Sequence, residues 1–163
     1  MCWACDHPTA ELSDYLENLR AVIRKCGWAV QGVERDRVHP PWAYTVGLTA
    51  HGRPELVVTG LALDRSQELL NAVAAHLLHA DVPAAGVQVE LIGGPLIEYV
   101  ELSEPSAHLR MAVELYGTEL RALQLVHADD RGRWPWDRGY RGGRGGQPVL
   151  GMRSRHTADP PTA

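Results

Sequence analysis

The first eight residues, MCWACDHP, hold a compact group of side chains that can bind a metal. Cys2 and Cys5 have the Cys-x-x-Cys spacing that lets two thiolates reach one tetrahedral ion, and His7 would add a third ligand. A structural zinc site takes four ligands, and the sequence has no second Cys-x-x-Cys pair. Three interpretations stay open: a metal site with zinc as its ion, a redox-active thiol pair, or two small buried side chains beside Trp3.

Three histidines could complete such a site. His76 and His79 are one helical turn apart, a spacing that suits a shared metal, and His127 follows an apolar run. Histidines at the boundary of an apolar helix are also commonly hydrogen-bonded or solvated. Because the HExxH pattern is absent, no zinc-protease activity is predicted.

The stretch YTVGLTAHGRPEL combines side chains that could transfer a proton. We hypothesise that His51 carries the proton, Glu55 is its partner and the Tyr44 hydroxyl assists, with Thr45 beside them as a ligand contact. The alternative is structural: Tyr44 half-buried, Glu55 capping backbone amides and His51 in water.

The stretch WPWDRGYRGGRGG combines aromatic rings with arginines. We predict that Arg141 and Arg144 supply positive charge and that Trp134 or Trp136 forms a stacking wall, in one cleft shared with the YTVGL strand and the turn at His51. The predicted ligand is a small anionic or aromatic molecule. Arginine–glycine tracts also bind RNA, but those are normally long and repeated, so a polyanion-binding adaptor is the weaker alternative.

The order of elements that must position these side chains is α-β-β-β-α-β-β-α-β. Periodicity predicts a helix over residues 9–27, capped by Thr9, with Cys26 on or near its buried stripe. Two further helices are predicted, one starting at Asp64 as N-cap and one at Ser106 that Gly117 ends. Strands are predicted over residues 28–33, 42–48, 55–61, 86–92, 96–102 and 120–128.

This order contains hairpins and no regular β/α alternation. It therefore predicts an α+β fold: a mostly antiparallel sheet of about six strands with three helices, packed largely on one face. We predict one domain over residues 1–151, in which 131–151 form an ordered loop rich in Arg, Gly and Trp, and a flexible tail over 152–163. Short antiparallel strands could also close into a flavin-binding split barrel, although no phosphate-binding motif supports it.

Composition indicates the compartment and the partners. The 163 residues include only three cysteines and no apolar stretch of membrane-spanning length, so we expect a cytoplasmic protein with no membrane partner. Residues 1–130 carry nine Lys and Arg against eighteen Asp and Glu, whereas residues 131–163 carry seven against two. The basic tail favours docking on its own acidic body over nucleic acid. A homo-oligomer stays open.

Three stretches together, CWACDHP, AYTVGLTAHGRPELVVTGL and ALQLVHADDRGRWPWD with the later GGQPVLG, resemble a bacterial family described as domain of unknown function 4262. The resemblance spans roughly residues 2–151. It implies a small bacterial cytoplasmic domain and assigns no activity to any residue.

Overall fold

A computed structural model describes residues 9–154, which form a six-stranded sheet packed with helices. This confirms the predicted α+β fold with a mostly antiparallel sheet. The helices are α1 (Leu12–Cys26), α2 (Leu63–Leu77), α3 (Pro105–His108) and α4 (Arg110–Tyr116), and the strands are β1 (Ala29–Val33), β2 (Trp42–Val46), β3 (Glu55–Thr59), β4 (Gln88–Glu90), β5 (Leu96–Glu101) and β6 (Ala122–His127). Two short 3-10 helices cover Leu48–His51 and Tyr140–Gly143.

The helix ends depart from prediction in small ways. Helix α1 is preceded by Glu11, not Thr9, and the Asp14 carboxylate accepts the Glu11 N–H at 3.0 Å. Cys26 is exposed, so its predicted place on the buried stripe is wrong. No helix within residues 9–154 is long and apolar enough to cross a membrane.

The second and third predicted helices also begin elsewhere. Ala62, not Asp64, is the N-cap of α2. The third predicted helix begins at Pro105 instead of following Ser106, and Leu109 divides it into α3 and α4 because its backbone (φ −112°, ψ 57°) is not helical. Gly117 ends α4 with a φ of +82°, as predicted.

The strand order is β1-β2-β3-β6-β5-β4. Every neighbouring pair is antiparallel except β3 and β6, which are parallel with Glu55 opposite Ala122 and Val57 opposite Gln124. Parallel neighbours end at the same edge of a sheet, so the carboxyl ends of β3 and β6 lie side by side. Between β3 and β6 the chain passes through α2, β4, β5, α3 and α4.

Helices cover both faces of the sheet. Leu56, Val58 and Leu123 pack in one apolar cluster with α2. Their neighbours along the strands, Val57 and Ala122, pack in a second cluster that includes side chains of α1 and α4. Successive strand side chains point to opposite faces, so the two clusters are separated by the sheet. The prediction that the helices pack largely on one face is wrong, because the inner strands β2, β3, β5 and β6 are buried along nearly their whole length and both faces need cover.

Residues 146–153, which we call the C-terminal strap, run over the α1/α4 face. Pro148 O accepts hydrogen bonds from Thr59 Oγ1 at 2.8 Å and Gln124 Nε2 at 2.7 Å, and Leu150 N–H donates to Gln124 Oε1 at 2.7 Å. Leu150 also packs against the apolar cluster on this face. The strap therefore satisfies the buried polar side chains in the middle of the sheet.

Candidate functional site

Glu55 is fully buried, and its carboxylate is saturated with hydrogen bonds. Its two oxygens accept five of them: from Thr45 Oγ1 at 2.6 Å, from the N–H groups of Gly47 and Thr49 at 3.0 Å, from Leu48 N–H at 3.4 Å and from Thr49 Oγ1 at 2.8 Å. Thr45 Oγ1 in turn accepts Leu56 N–H at 2.8 Å. A carboxylate held by this many donors is positioned to shape the loop between β2 and β3.

Tyr44 and His51 point to different places around this loop. Tyr44 is buried on the α1/α4 face, where its hydroxyl accepts Met111 N–H at 3.1 Å, and desolvation raises the pKa of the Tyr44 phenol. His51 is exposed, and its Nε2 donates to Gly27 O at 3.1 Å at the end of α1. Of the residues predicted to act together here, Thr45 and Glu55 share a direct contact.

The two tryptophans predicted to form an aromatic wall stack on each other and on an arginine of the same chain. The Trp134 and Trp136 rings lie parallel with centroids 5.3 Å apart, and the Arg153 guanidinium carbon lies 3.5 Å from the centroid of Trp136. Arg153 also binds the buried Glu98 carboxylate through two hydrogen bonds of 3.0 and 3.1 Å. This stack fastens the end of the C-terminal strap, so at least one face of each ring is already covered.

A cavity of about 590 Å³ lies beside the carboxyl ends of β3 and β6. Its walls come from the first half of α2, the turn between β4 and β5, the end of β6 and Arg141. Apolar side chains contribute part of the lining, among them Leu61, Leu69 and Leu91. Five charged side chains also line it: Arg65, Glu68, Asp129, Asp130 and Arg141.

His127, at the end of β6, is the buried polar residue of this cavity. It is 3% exposed, and its Nε2 lies 3.3 Å from Thr59 O. Because a carbonyl oxygen can only accept, Nε2 donates this hydrogen bond. Burial, aided by the positive charge of Arg141, lowers the pKa of His127 to about 4, although hydrogen bonds to the backbone of Thr59 and Ala128 oppose the shift. His127 is therefore neutral at pH 7.

Arg141 has a strained backbone that Asp129 holds in place. Its φ of +48° makes it the one non-glycine residue with a positive φ between residues 9 and 154. The Asp129 carboxylate accepts the backbone N–H groups of Arg131, Arg133 and Arg141, each at 2.9 Å. Desolvation opposes ionisation of Asp129, but these three bonds and the charge of Arg133 lower its pKa. The guanidinium of Arg141 donates to Gly60 O at 2.9 Å.

The structure does not bring the two predicted halves of the site together. Glu55 begins β3 and Arg141 binds Gly60 just beyond its end, so roughly 13 Å of strand separates them. Arg144 is exposed and donates from Nε to Arg141 O at 3.1 Å without lining the cavity. Among the predicted ligand contacts, Arg141 is the one that lines it.

Sequence reasoning missed the acidic and helical part of this cavity. The stretch LQLVHADD contains a signal that could have found it, because polar residues follow a buried strand directly, where binding residues concentrate. Arg65 and Glu68 carry no such signal, since a charged pair on an amphipathic helix is ordinary surface.

The predicted metal ligands Cys2, Cys5 and His7 fall outside the described residues, and their metal role stays a prediction. Within residues 9–154, no three His, Cys, Asp or Glu side chains come close enough to hold a metal ion.

Comparison with known proteins identifies a family for the chain. A family model described as a domain of unknown function, DUF4262, matches residues 22–141, which is well over half of the sequence. No curated protein and no solved structure matches the chain. The match confirms the resemblance that the sequence motifs indicate.

Proposed function

We propose that this chain, which belongs to the DUF4262 family, binds a small molecule with an anionic group in the cavity at the carboxyl ends of β3 and β6. Arg141 would bind the anionic group, and neutral His127 would supply a polar contact. The observation that carries the proposal is the left-handed backbone of Arg141 at the wall of this cavity.

The strain at Arg141 supports a binding role. A non-glycine residue in the left-handed region costs about 1–2 kcal/mol, and such residues cluster at ligand sites. Here the Asp129 carboxylate offsets part of that cost through the Arg141 N–H. Glycine occurs at positions 142 and 143 of the same loop and would adopt this backbone without strain. An arginine at position 141 therefore points to a use for its side chain.

The electrostatics of Arg141 also favour an anion. Its guanidinium donates to a backbone carbonyl, and within residues 9–154 it forms no ion pair with a carboxylate. A guanidinium retains most of its five donors after one such bond and binds carboxylate or phosphate in a two-pronged manner. Apolar walls such as Leu61 and Leu69 lower the local dielectric and strengthen that interaction.

Binding measurements with defined anions test the proposal. We would titrate inorganic phosphate, succinate and adenosine monophosphate into the wild-type protein and into Arg141→Gln by isothermal calorimetry. Arg138, exposed in the same loop, gives the matched control Arg138→Gln. We expect at least one probe to bind the wild type and Arg138→Gln alike, and Arg141→Gln at least about tenfold more weakly, since a charge-assisted hydrogen bond contributes about 1.5–3 kcal/mol.

Two results would contradict this function. One is that none of the three probes binds wild-type protein at millimolar concentration. The other is that Arg141→Gln binds as tightly as Arg138→Gln, which would place the anion elsewhere. Thermal unfolding of each variant shows whether it remains folded.

A further inference from the structure

The cavity contains charges of both signs that do not pair with one another. Arg65 and Glu68 reach it from α2, and Asp130 and Arg141 reach it from the segment after β6. In the part of the chain that the structure describes, none of these four side chains forms an ion pair. The third carboxylate, Asp129, is already engaged by three backbone N–H groups and lies 3.6 Å from Arg133.

This balance of charge suits a ligand that carries both charges better than it suits a simple anion. Two guanidinium groups would attract an anion, and the carboxylates of Glu68 and Asp130 would repel it. A ligand that also carries an ammonium group converts that repulsion into attraction. Charges on a binding site thus select against a wrong ligand as well as for the right one.

We infer that the ligand is a zwitterion of the α-amino-acid class with an apolar side chain. This rests on the proposed function and assigns the second charge of the same ligand. The carboxylate binds Arg141 and Arg65, the ammonium group binds Glu68 or Asp130, and the apolar side chain packs on the wall formed by Leu61, Leu69, Ala72 and Leu91. His127, neutral at pH 7, adds a hydrogen bond without disturbing this balance.

The cavity has a suitable size and lining for such a ligand. Its volume of about 590 Å³ falls within the ordinary range of small-molecule sites, roughly 300–1,000 Å³. On α2 the apolar lining residues Leu69 and Ala72 follow the charged Arg65 and Glu68, with Leu69 next to Glu68. An α-amino acid carries an ammonium group, a carboxylate and an apolar side chain on one carbon atom, which matches a lining with both charges and an apolar wall.

Two sets of three matched compounds test the inference. L-Leucine is compared with 4-methylpentanoate, which lacks the amine, and with 3-methylbutylamine, which lacks the carboxylate. L-Phenylalanine is compared in the same way with 3-phenylpropionate and 2-phenylethylamine. We expect one of the two amino acids to bind wild-type protein at least about tenfold more tightly than both of its partial analogues.

Variants identify which residues produce that preference. In Glu68→Gln/Asp130→Asn we expect the amino acid to bind no more tightly than the acid without the amine, while that acid binds as before or better. Glu114→Gln, an exposed carboxylate on α4, serves as the control and should retain the wild-type preference. Loss of the preference in Glu114→Gln as well would refute the assignment to Glu68 and Asp130.

The outcomes separate this inference from the proposed function. If the carboxylic acids bind through Arg141 and the amino acids bind no more tightly, the zwitterion is refuted and the anion site stands. If neither the amino acids nor the acids bind, the zwitterion is again refuted, and the phosphate, succinate and adenosine monophosphate titrations decide on the anion site.

Discussion

Glu55 is a carboxylate of the kind that can transfer protons, but its contacts in this fold are those of a structural residue. The carboxylate is 0% exposed and accepts hydrogen bonds from Thr45, Gly47, Leu48 and Thr49. Both oxygens are occupied, so a substrate proton has no open position to reach. The motif YTVGLTAHGRPE thus places five donor groups, from four residues, around one carboxylate, which fixes the connection between β2 and β3.

We expect Glu55→Gln to destabilise the protein by about 3 kcal/mol, because the new amide group would face backbone N–H donors that then lose their acceptor. Urea unfolding of the variant beside Glu114→Gln, which alters an exposed carboxylate, measures the difference. A change within about 0.5 kcal/mol in both variants would show that the five bonds contribute little.

His127 makes stability depend on pH. Its pKa falls from 6.5 in the unfolded chain to about 4 in the fold, so the unfolded state binds a proton first. The contribution of neutral His127 to the free energy of unfolding is fully present above pH 6.5. It is lost as the pH falls towards 4, and the loss amounts to about 3 kcal/mol. Asp36 and Asp129, with pKa values lowered from 3.8, lose their contributions only below that value.

Urea midpoints of wild type and His127→Gln between pH 7 and pH 4 test this expectation. The variant should lose much less stability than the wild type over that interval, since glutamine cannot be protonated there. Parallel curves for the two proteins would assign the acid sensitivity to other groups.

Among the elements, the C-terminal strap depends on two close backbone approaches. A Cβ at Gly60 would lie 2.1 Å from Gly146 O, and one at Gly151 would lie 1.8 Å from Glu101 O. Only glycine allows the strap to lie this close to the sheet. The Gly60 carbonyl also accepts a hydrogen bond from the Arg141 guanidinium. The turn at Gly60 therefore contacts both the strap and a residue that lines the cavity.

A pair of glycine variants isolates that contact. Gly60 and Gly132 share a φ of +72°, but a Cβ at Gly132 would meet nothing within 4 Å. We expect Gly132→Ala to cost about 1 kcal/mol for the strained backbone and Gly60→Ala about 2–4 kcal/mol, because the strap must also move. Equal unfolding midpoints for the two variants would mean that the strap yields without cost.

On the scale of the whole molecule, the basic tail and the acidic body are joined by specific contacts. Arg133 lies 3.6 Å from Asp129 and Arg153 binds Glu98, while Arg141 reaches the turn after β3. These arginines are used within the chain, in keeping with docking of the tail on its own body. The same docking closes one wall of the cavity with Arg141.

Local sequence was sufficient for most of the elements. Apolar periodicity located the helices and all six strands to within a few residues, and Gly117 marked a helix end, because these features depend on neighbours along the chain. The order of the elements, with hairpins and no regular β/α alternation, was likewise enough for the α+β class. The family followed from motifs spread over the same segments.

The site was decided by the tertiary structure. Pairing of β3 with β6 joins strands more than sixty residues apart, and it places Thr59, His127 and Arg141 at one sheet edge while leaving Glu55 and His51 at the other. Nothing near any of these residues in the sequence encodes that pairing. The pairing of β3 with β6 forms because it lets the sheet bury apolar side chains on both faces at once. That burial depends on segments from the whole chain.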